Sequence, residues 1–232
     1  MTYTLLGRCE RTGALGIAVA TYSLAVGASA PQVVRGAGAI ASQAFGNPQL
    51  RTLGAALLAQ GHTAPHALDL LRASDPKIEY RQVALLDRRG DGACHTGAHC
   101  RAWAGHRIGP DYVACGNVLA GPQVVAAIAD AFLAAADQPL AERLLRGIEA
   151  GRDAGGQVGG NGPLTERSAS LVVYAQEEHA ANDLRIDMHP HAVDALRALF
   201  DTYAPYIPFR KLRWRNPEEA PPQEQFVAGL AR

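Results

Sequence analysis

The sequence predicts an α+β layered sandwich, and three observations predict it. The chain opens on apolar, partly β-branched runs separated by turn residues; helical patterns come in pairs between such runs; and 48% of the residues are hydrophobic against 19% charged. Paired helices between antiparallel hairpins suit stacked layers better than a doubly wound parallel sheet, in which strand and helix alternate singly.

Each element has a local reason. Residues 3–9 (YTLLGRC) and 14–21 (ALGIAVAT) read as a hairpin across Glu10-Arg11-Thr12-Gly13, a polar turn closed by glycine. Residues 31–35 and 38–44 are short, small-residue runs that fit buried strands, and Gly46-Asn47-Pro48 ends them. Leu50, Leu53, Leu57 and Leu58 recur at helical spacing before Gly61, and Thr63 caps a second helix over 64–73. Residues 79–87 and 92–96 form another hairpin across Arg88-Arg89-Gly90-Asp91; a loop through Trp103 and His106 and a strand near 111–118 follow. Helices are predicted over 122–136 and 139–150, then a glycine-rich connector over 154–162, strands over 168–174 and 183–188, and a helix over 190–203. Prolines 205, 208, 217, 221 and 222 interrupt the remainder. The expected organisation is one domain over 1–203 and an extended C-terminal arm over 204–232.

Composition narrows the function. Lys plus Arg and Asp plus Glu both number 22, so no overall field attracts nucleic acid or an anionic membrane. No signal-peptide pattern and no run of about 18 apolar residues is present. Four cysteines, Cys9, Cys94, Cys100 and Cys115, are too few for a disulfide framework in a chain this long and read as reduced thiols. A cytoplasmic protein whose partners are small molecules and copies of itself is expected, with no membrane or nucleic-acid role.

Several motifs invite chemistry that their context does not sustain. Cys94-His95 and His99-Cys100 carry zinc-ligand types, but neighbours on a strand point to opposite faces and no second CxxC pair completes a set, so no metal is expected. The run Gly155-Gly156-Gln157-Val158-Gly159-Gly160 lacks the Gly-Lys-Ser/Thr ending of a phosphate loop, and no cofactor is expected. Phe209 to Arg215 is basic with interleaved aromatics, but it is short in a neutral protein and reads as a packing or subunit contact. Cys115 beside Gly116-Asn117 has no base placed by sequence and reads as a core thiol.

The start of the chain carries more. Thr2 follows Met1, and once a methionine is removed a threonine there offers both a hydroxyl nucleophile and the free α-amine that can take its proton. Trp103-Ala104-Gly105-His106-Arg107 and Gly116-Asn117-Val118-Leu119-Ala120-Gly121-Pro122 closely resemble the DUF1028 family, regarded as members of the Ntn-hydrolase superfamily. Gly16 to Ala20, Ser42-Gln43-Ala44-Phe45 and Asp183 to Asp187 agree in order, over about residues 1–200. The resemblance implies a four-layer αββα sandwich with two mainly antiparallel sheets and a nucleophile on the first residue of the first strand. The opening is also similar to a proteasome β-subunit, which implies Asn117 near the amine of Thr2 and Asp153 near the site. The proteasome's Asp-Ser-Arg is Tyr22-Ser23-Leu24 here, and its lysine has no lysine counterpart, only Gln32 or Arg35 nearby.

The expected activity is hydrolysis of a small amide, lactam or short peptide through Thr2, with Gln43 and Asn117 as oxyanion donors. Arg35, Ser23, Trp103, His106 and Asp153 are expected around the substrate. The alternative is a binding or assembly protein of the same fold that retains Met1 and has no chemistry.

Overall fold

The computed structural model describes residues 1–175 and 180–230. The chain runs β1 (Thr2–Arg8), β2 (Leu15–Thr21), one helical turn α1 (Val26–Ser29), β3 (Pro31–Val34), β4 (Gly38–Ala44), α2 (Pro48–Ala59) and α3 (Ala64–Ser74). It continues with β5 (Arg81–Asp87), β6 (Gly92–Thr96), β7 (Ala104–Gly109), β8 (Tyr112–Asn117), α4 (Pro122–Ala134) and α5 (Leu140–Asp153). A short ribbon of β9 (Gln157–Gly159) and β10 (Gly162–Leu164) leads to β11 (Ser168–Tyr174), β12 (Ala180–Ile186) and α6 (Ala192–Tyr203).

A six-stranded sheet in the order β12-β11-β2-β1-β8-β7 faces a four-stranded sheet in the order β3-β4-β5-β6, and every pairing is antiparallel. Alternation along β1 decides what lies between the layers. Leu6 packs with Ile17, Ala39, Ala41, Ala84 and Leu86 in the space between the sheets. Leu5, of opposite parity, faces α5, where a Cβ on Gly147 would come 2.5 Å from Leu5 Cδ2. Glycine at 147 is therefore what lets α5 lie close on the sheet. On the other side, Ile40, Val83 and Leu85 turn outward to meet Leu50, Leu58 and Leu71 of α2 and α3. The result is four layers, αββα.

Caps fix the helix starts on the smaller sheet. The Asn47 side chain accepts from the Gln49 N–H at 3.0 Å ahead of α2, and Thr63 accepts from His66 at 3.4 Å ahead of α3. Buried Asp87 accepts from the Ala64 and Arg89 N–H groups, tying α3 to the β5–β6 turn.

Two expectations about strands need correction. Residues 104–109 form β7, an edge strand, where a loop was predicted: its glycines and exposed polar residues hide the alternation, while pairing with β8 supplies the order. The glycine-rich connector forms the β9–β10 ribbon rather than a featureless loop. The expected strand over 183–188 overlaps β12, which begins at Ala180 and ends at Ile186, and residues 176–179 before it lie outside the described residues.

The chain divides into two compact units, 1–196 and 197–232. The second is not an extended arm. It holds the end of α6, then α7 (Tyr206–Arg215) and α8 (Gln223–Leu230). Its prolines start helices rather than breaking them: Pro205 caps α7, Pro208 lies in its first turn, and Pro222 precedes α8. Phe226 stacks on Phe209 at 4.0 Å between ring centres and meets Tyr206 edge-on at 5.2 Å, while Arg213 lies over Phe209. The basic stretch thus spends part of its charge on its own aromatic rings.

Candidate active site

The space between the sheets changes character along the strands. At one end it is filled by aliphatic side chains; at the other, β1, β2, β8, β4 and β5 present Thr2, Thr4, Thr21, Asn117, Gln43 and Gln82, all buried. Register brings the first of these together, because Thr2 pairs with Thr21 on one side and with Asn117 on the other.

Around Thr2 the hydroxyls converge on one carbonyl. Thr2 Oγ1 lies 2.6 Å from the Met1 carbonyl oxygen and 3.1 Å from Thr21 Oγ1. The Thr21 hydroxyl also donates to the Met1 carbonyl and accepts the Ser23 N–H at 3.2 Å. Burial, then the charge of Arg101, lowers the Met1 α-amine from its usual 8.0 to about 6, with Cys100 opposing.

Below Thr2 a polar chain links the sheets. Thr4 Oγ1 donates to Gln43 Oε1 at 2.6 Å, and Gln43 Nε2 and Asn117 Nδ2 both donate to Gln82 Oε1, at 2.8 and 3.0 Å. Gln82 Nε2 in turn faces Gly116 O, Gly105 O and Thr96 Oγ1 at 2.9 to 3.1 Å. Glycine at 116 is required by closeness, since a Cβ there would sit 2.6 Å from Leu119 and 3.0 Å from the Thr2 carbonyl oxygen.

A cleft of about 150 Å³ opens on this end, lined among others by Thr2, Thr21, Ser23, Ser42, Gln43 and Ala44, and none of its lining residues is charged. A larger, shallower depression of about 410 Å³ lies against the turns of Arg89–Asp91 and Pro110–Asp111. No cluster of buried polar groups converges there, so we place the candidate site at Thr2.

The sequence-derived residues divide accordingly. Thr2, Gln43 and Ser23 line the cleft, and Asn117 lies beside Thr2. Arg35 does not join them: it is exposed in the β3–β4 turn, past the opposite end of β4 from Gln43, roughly 20 Å away at the rise of a strand. Asp153 ends α5 and pairs with Arg152 Nε at 2.8 Å at the surface; the buried carboxylate nearby is Glu166, which accepts from Gln157 Nε2 at 3.2 Å. His106 is an edge-strand residue whose Nδ1 lies 2.9 Å from Thr96 Oγ1, so it reaches the site only through Thr96 and Gln82, and partial desolvation of its ring, then nearby His95, lowers its pKa. Trp103 supports rather than lines: its carbonyl accepts the Leu119 N–H at 3.0 Å, and its ring lies over Gly105. Among the zinc-type residues, His95 Nε2 meets Ile78 O at 3.2 Å and Cys100 Sγ meets Arg81 O at 3.4 Å, each engaged with a backbone carbonyl.

Sequence reasoning missed Thr21, Gln82 and Arg101. Gln82 carried a legible signal, as the one long polar side chain at an interior position of an otherwise aliphatic strand. Thr21 becomes visible only once the β1–β2 register is known, and Arg101 only once its loop is placed.

Fold and site together define a four-layer αββα sandwich with a threonine at the head of its first central strand. The family model of DUF1028, a family of unknown function, matches residues 2–196, and the chain belongs to that family. The match ends where the first compact unit ends. A crystal structure of a DUF1028 protein from Silicibacter pomeroyi is similar at 29% identity and TM-score 0.79, covering 87% of this chain and 88% of that one. Anbu, an ancestral β-subunit, from Yersinia bercovieri aligns at 14% identity and TM-score 0.44 over 86% of this chain and 93% of its own. A mutant Anbu from a Hyphomicrobium strain aligns at 16% identity and TM-score 0.44, over 87% and 94%. No curated protein matches.

Proposed function

We propose that the protein is an N-terminal-nucleophile amidohydrolase acting on a small amide through Thr2, after removal of Met1. The observation that carries this reading is the placement of the Thr2 hydroxyl, buried at the head of β1 and facing an uncharged cleft, beside a position where an amine is held well below its usual pKa. A Thr2 amine freed in that neighbourhood stands on the same residue as the hydroxyl, where it can take the hydroxyl's proton.

The chemistry then balances without further groups. Thr2 Oγ1 bonds to the amide carbonyl carbon as its proton passes to the α-amine. The tetrahedral intermediate collapses with cleavage of the C–N bond, and the departing nitrogen takes that proton. Water attacks the resulting ester, gives its proton to the amine, and Thr2 is restored. The Thr21 hydroxyl, now turned to the Met1 carbonyl oxygen, and the second N–H of Asn117 Nδ2 are the donors nearest to hand for the oxyanion.

Intact-mass measurement on the expressed protein, followed by hydrolysis assays on short amides, tests the reading. Mass without Met1 and turnover that disappears in Thr2→Ala support it. A fully active Thr2→Ala protein removes it. Retained Met1 with no turnover supports the second reading, a binding or assembly protein, which the hydrogen bonds holding the Met1 carbonyl favour.

A further inference from the structure

The cleft at Thr2 is small and neutral, and its surroundings outside are not. About 150 Å³ is well under the 300–1,000 Å³ of pockets that enclose drug-sized ligands, so only a few heavy atoms of a substrate enter it. Hydroxyls and small aliphatic groups line it, which suits a short uncharged acyl group and disfavours a charged one.

At the edge of the same site stands Arg101. Its carbonyl accepts the Val118 N–H at 3.1 Å, one residue beyond Asn117, the register partner of Thr2. Its guanidinium lies over the Phe45 ring, 5.6 Å from the centre, and Phe45 sits between the cleft-lining Ala44 and Gly46. Arg101 is exposed, and no carboxylate pairs with it among the described residues, whereas neighbouring Arg81 is neutralised by Asp75 at 3.0 Å. That its charge is felt at the Met1 amine agrees with this placement.

The ring under Arg101 belongs to a platform. Phe45 meets Tyr80 edge-on at 5.8 Å, and Tyr80 lies 4.7 Å from His99. The Phe45 N–H donates to Tyr80 O at 3.3 Å, and Arg81 donates to Phe45 O at 2.5 Å, so the platform's backbone is fixed. Phe45 and Tyr80 nonetheless remain 45% and 44% exposed. One unpaired guanidinium resting on a fixed aromatic surface matches a single monoanion with an organic side chain. A phosphate dianion would keep half its charge unmatched, and a polyanion would require a cluster of cations.

We infer that the site takes N-acyl amino acids, with the small acyl group in the cleft against Thr2 and the α-carboxylate of the leaving amino acid on Arg101. The inference rests on the reading of Thr2 as the reacting group, and binding separates the two. N-acetylalanine and N-acetylalaninamide, which differ only in the carboxylate, are titrated calorimetrically into Thr2→Ala protein and into Thr2→Ala/Arg101→Gln protein, each checked for an unchanged melting temperature. N-acetylalanine is expected to bind about tenfold more tightly than the amide to the first protein, and within about twofold of it in the second. Equal affinities in the first protein, no binding of N-acetylalanine, or a preference that survives Arg101→Gln overturns the inference. The Thr2 reading fails separately, when the carboxylate preference is present but the protein with native Thr2 hydrolyses neither compound.

Discussion

Replacing Gln82 by leucine isolates the polar chain under Thr2. Gln82 is fully buried and makes five contacts, of which those to Gly105 O, Gly116 O and Asn117 Nδ2 join its sheet to the other. Leucine conserves most of the volume but orphans one N–H each of Gln43 and Asn117, and takes away the donor to Gly116 O. Each orphaned buried group costs about 1–3 kcal/mol, part of which the added apolar surface returns, so a net loss of about 2–4 kcal/mol is expected. For a unit of this size that corresponds to a fall in melting temperature of roughly 5–15 °C. Calorimetry measures it, and a double-mutant cycle with Gln43→Leu identifies the cause. Removing both amides leaves fewer orphans than the two single changes added together, so the double variant should be more stable than additivity predicts by about 1 kcal/mol or more. A single-variant loss under about 0.5 kcal/mol, or additivity within that margin, would show that the chain does not join the layers.

Three further outcomes follow from charge. Removing the Arg101 cation by Arg101→Gln takes away an influence that lowers the amine, so the acid limb of kcat/KM should move to higher pH by on the order of half a unit, read from a pH profile. In protein that keeps Met1, the folded amine lies near 6 and the unfolded one near 8.0; the unfolded state binds more protons between these values, so stability should rise with pH across that window, and acetylating the amine should flatten the rise in thermal melts. Burial raises the Asp75 carboxyl, but hydrogen bonds from Asn47, the Lys77 N–H and Arg81 outweigh it and leave the pKa below its ordinary value. Stability from those contacts is present at neutral pH and lost as pH falls through the folded pKa, so Asp75→Asn should lower the melting temperature at pH 7 and weaken its decline below about pH 4.

What the sequence disclosed depended on periodicity. β1, β2, α2 and α5 were legible because an aliphatic face at a spacing of two or of three to four needs a buried surface, and the sheets and helix layers provide it. Paired helices gave the layer order before any contact was known. β7 was not legible, since an edge strand with Gly105, Gly109 and exposed His106 and Arg107 has little apolar alternation to show. The helical C-terminal segment was obscured by reading Pro205, Pro208 and Pro222 as breaks, although proline is compatible with a helix's first turn. For the site, the resemblance put Asn117 beside Thr2, and Gln43, named as an oxyanion donor, lies in the same cleft as Thr2. Arg35 and Asp153, which came from the similarity to a proteasome β-subunit, lie away from the cleft, Arg35 in the β3–β4 turn and Asp153 at the surface end of α5. The cation beside the Met1 amine comes instead from the loop before β7, more than sixty residues after Arg35, and sequence spacing carries no trace of that approach.

The backbone adds an argument independent of side-chain chemistry. Among the described residues, four other than glycine have positive φ, and three of them flank the Thr2 end: Ala25 at 53°, Ala44 at 68° and Val118 at 58°. Ala44 lines the cleft, Ala25 precedes cleft-lining Val26, and Val118 follows Asn117. The left-handed region costs an L-residue on the order of 1 kcal/mol, and more for a β-branched side chain such as Val118. The same end also buries Thr2, Thr4, Gln43, Gln82 and Asn117, where the opposite end buries aliphatics at a gain. A sandwich selected only for stability would carry its aliphatic packing through to both ends. Strain and polar burial concentrated where β1 begins are what a site demands, because they hold hydroxyl, amide and backbone groups at fixed positions against the neutral space that a substrate must enter.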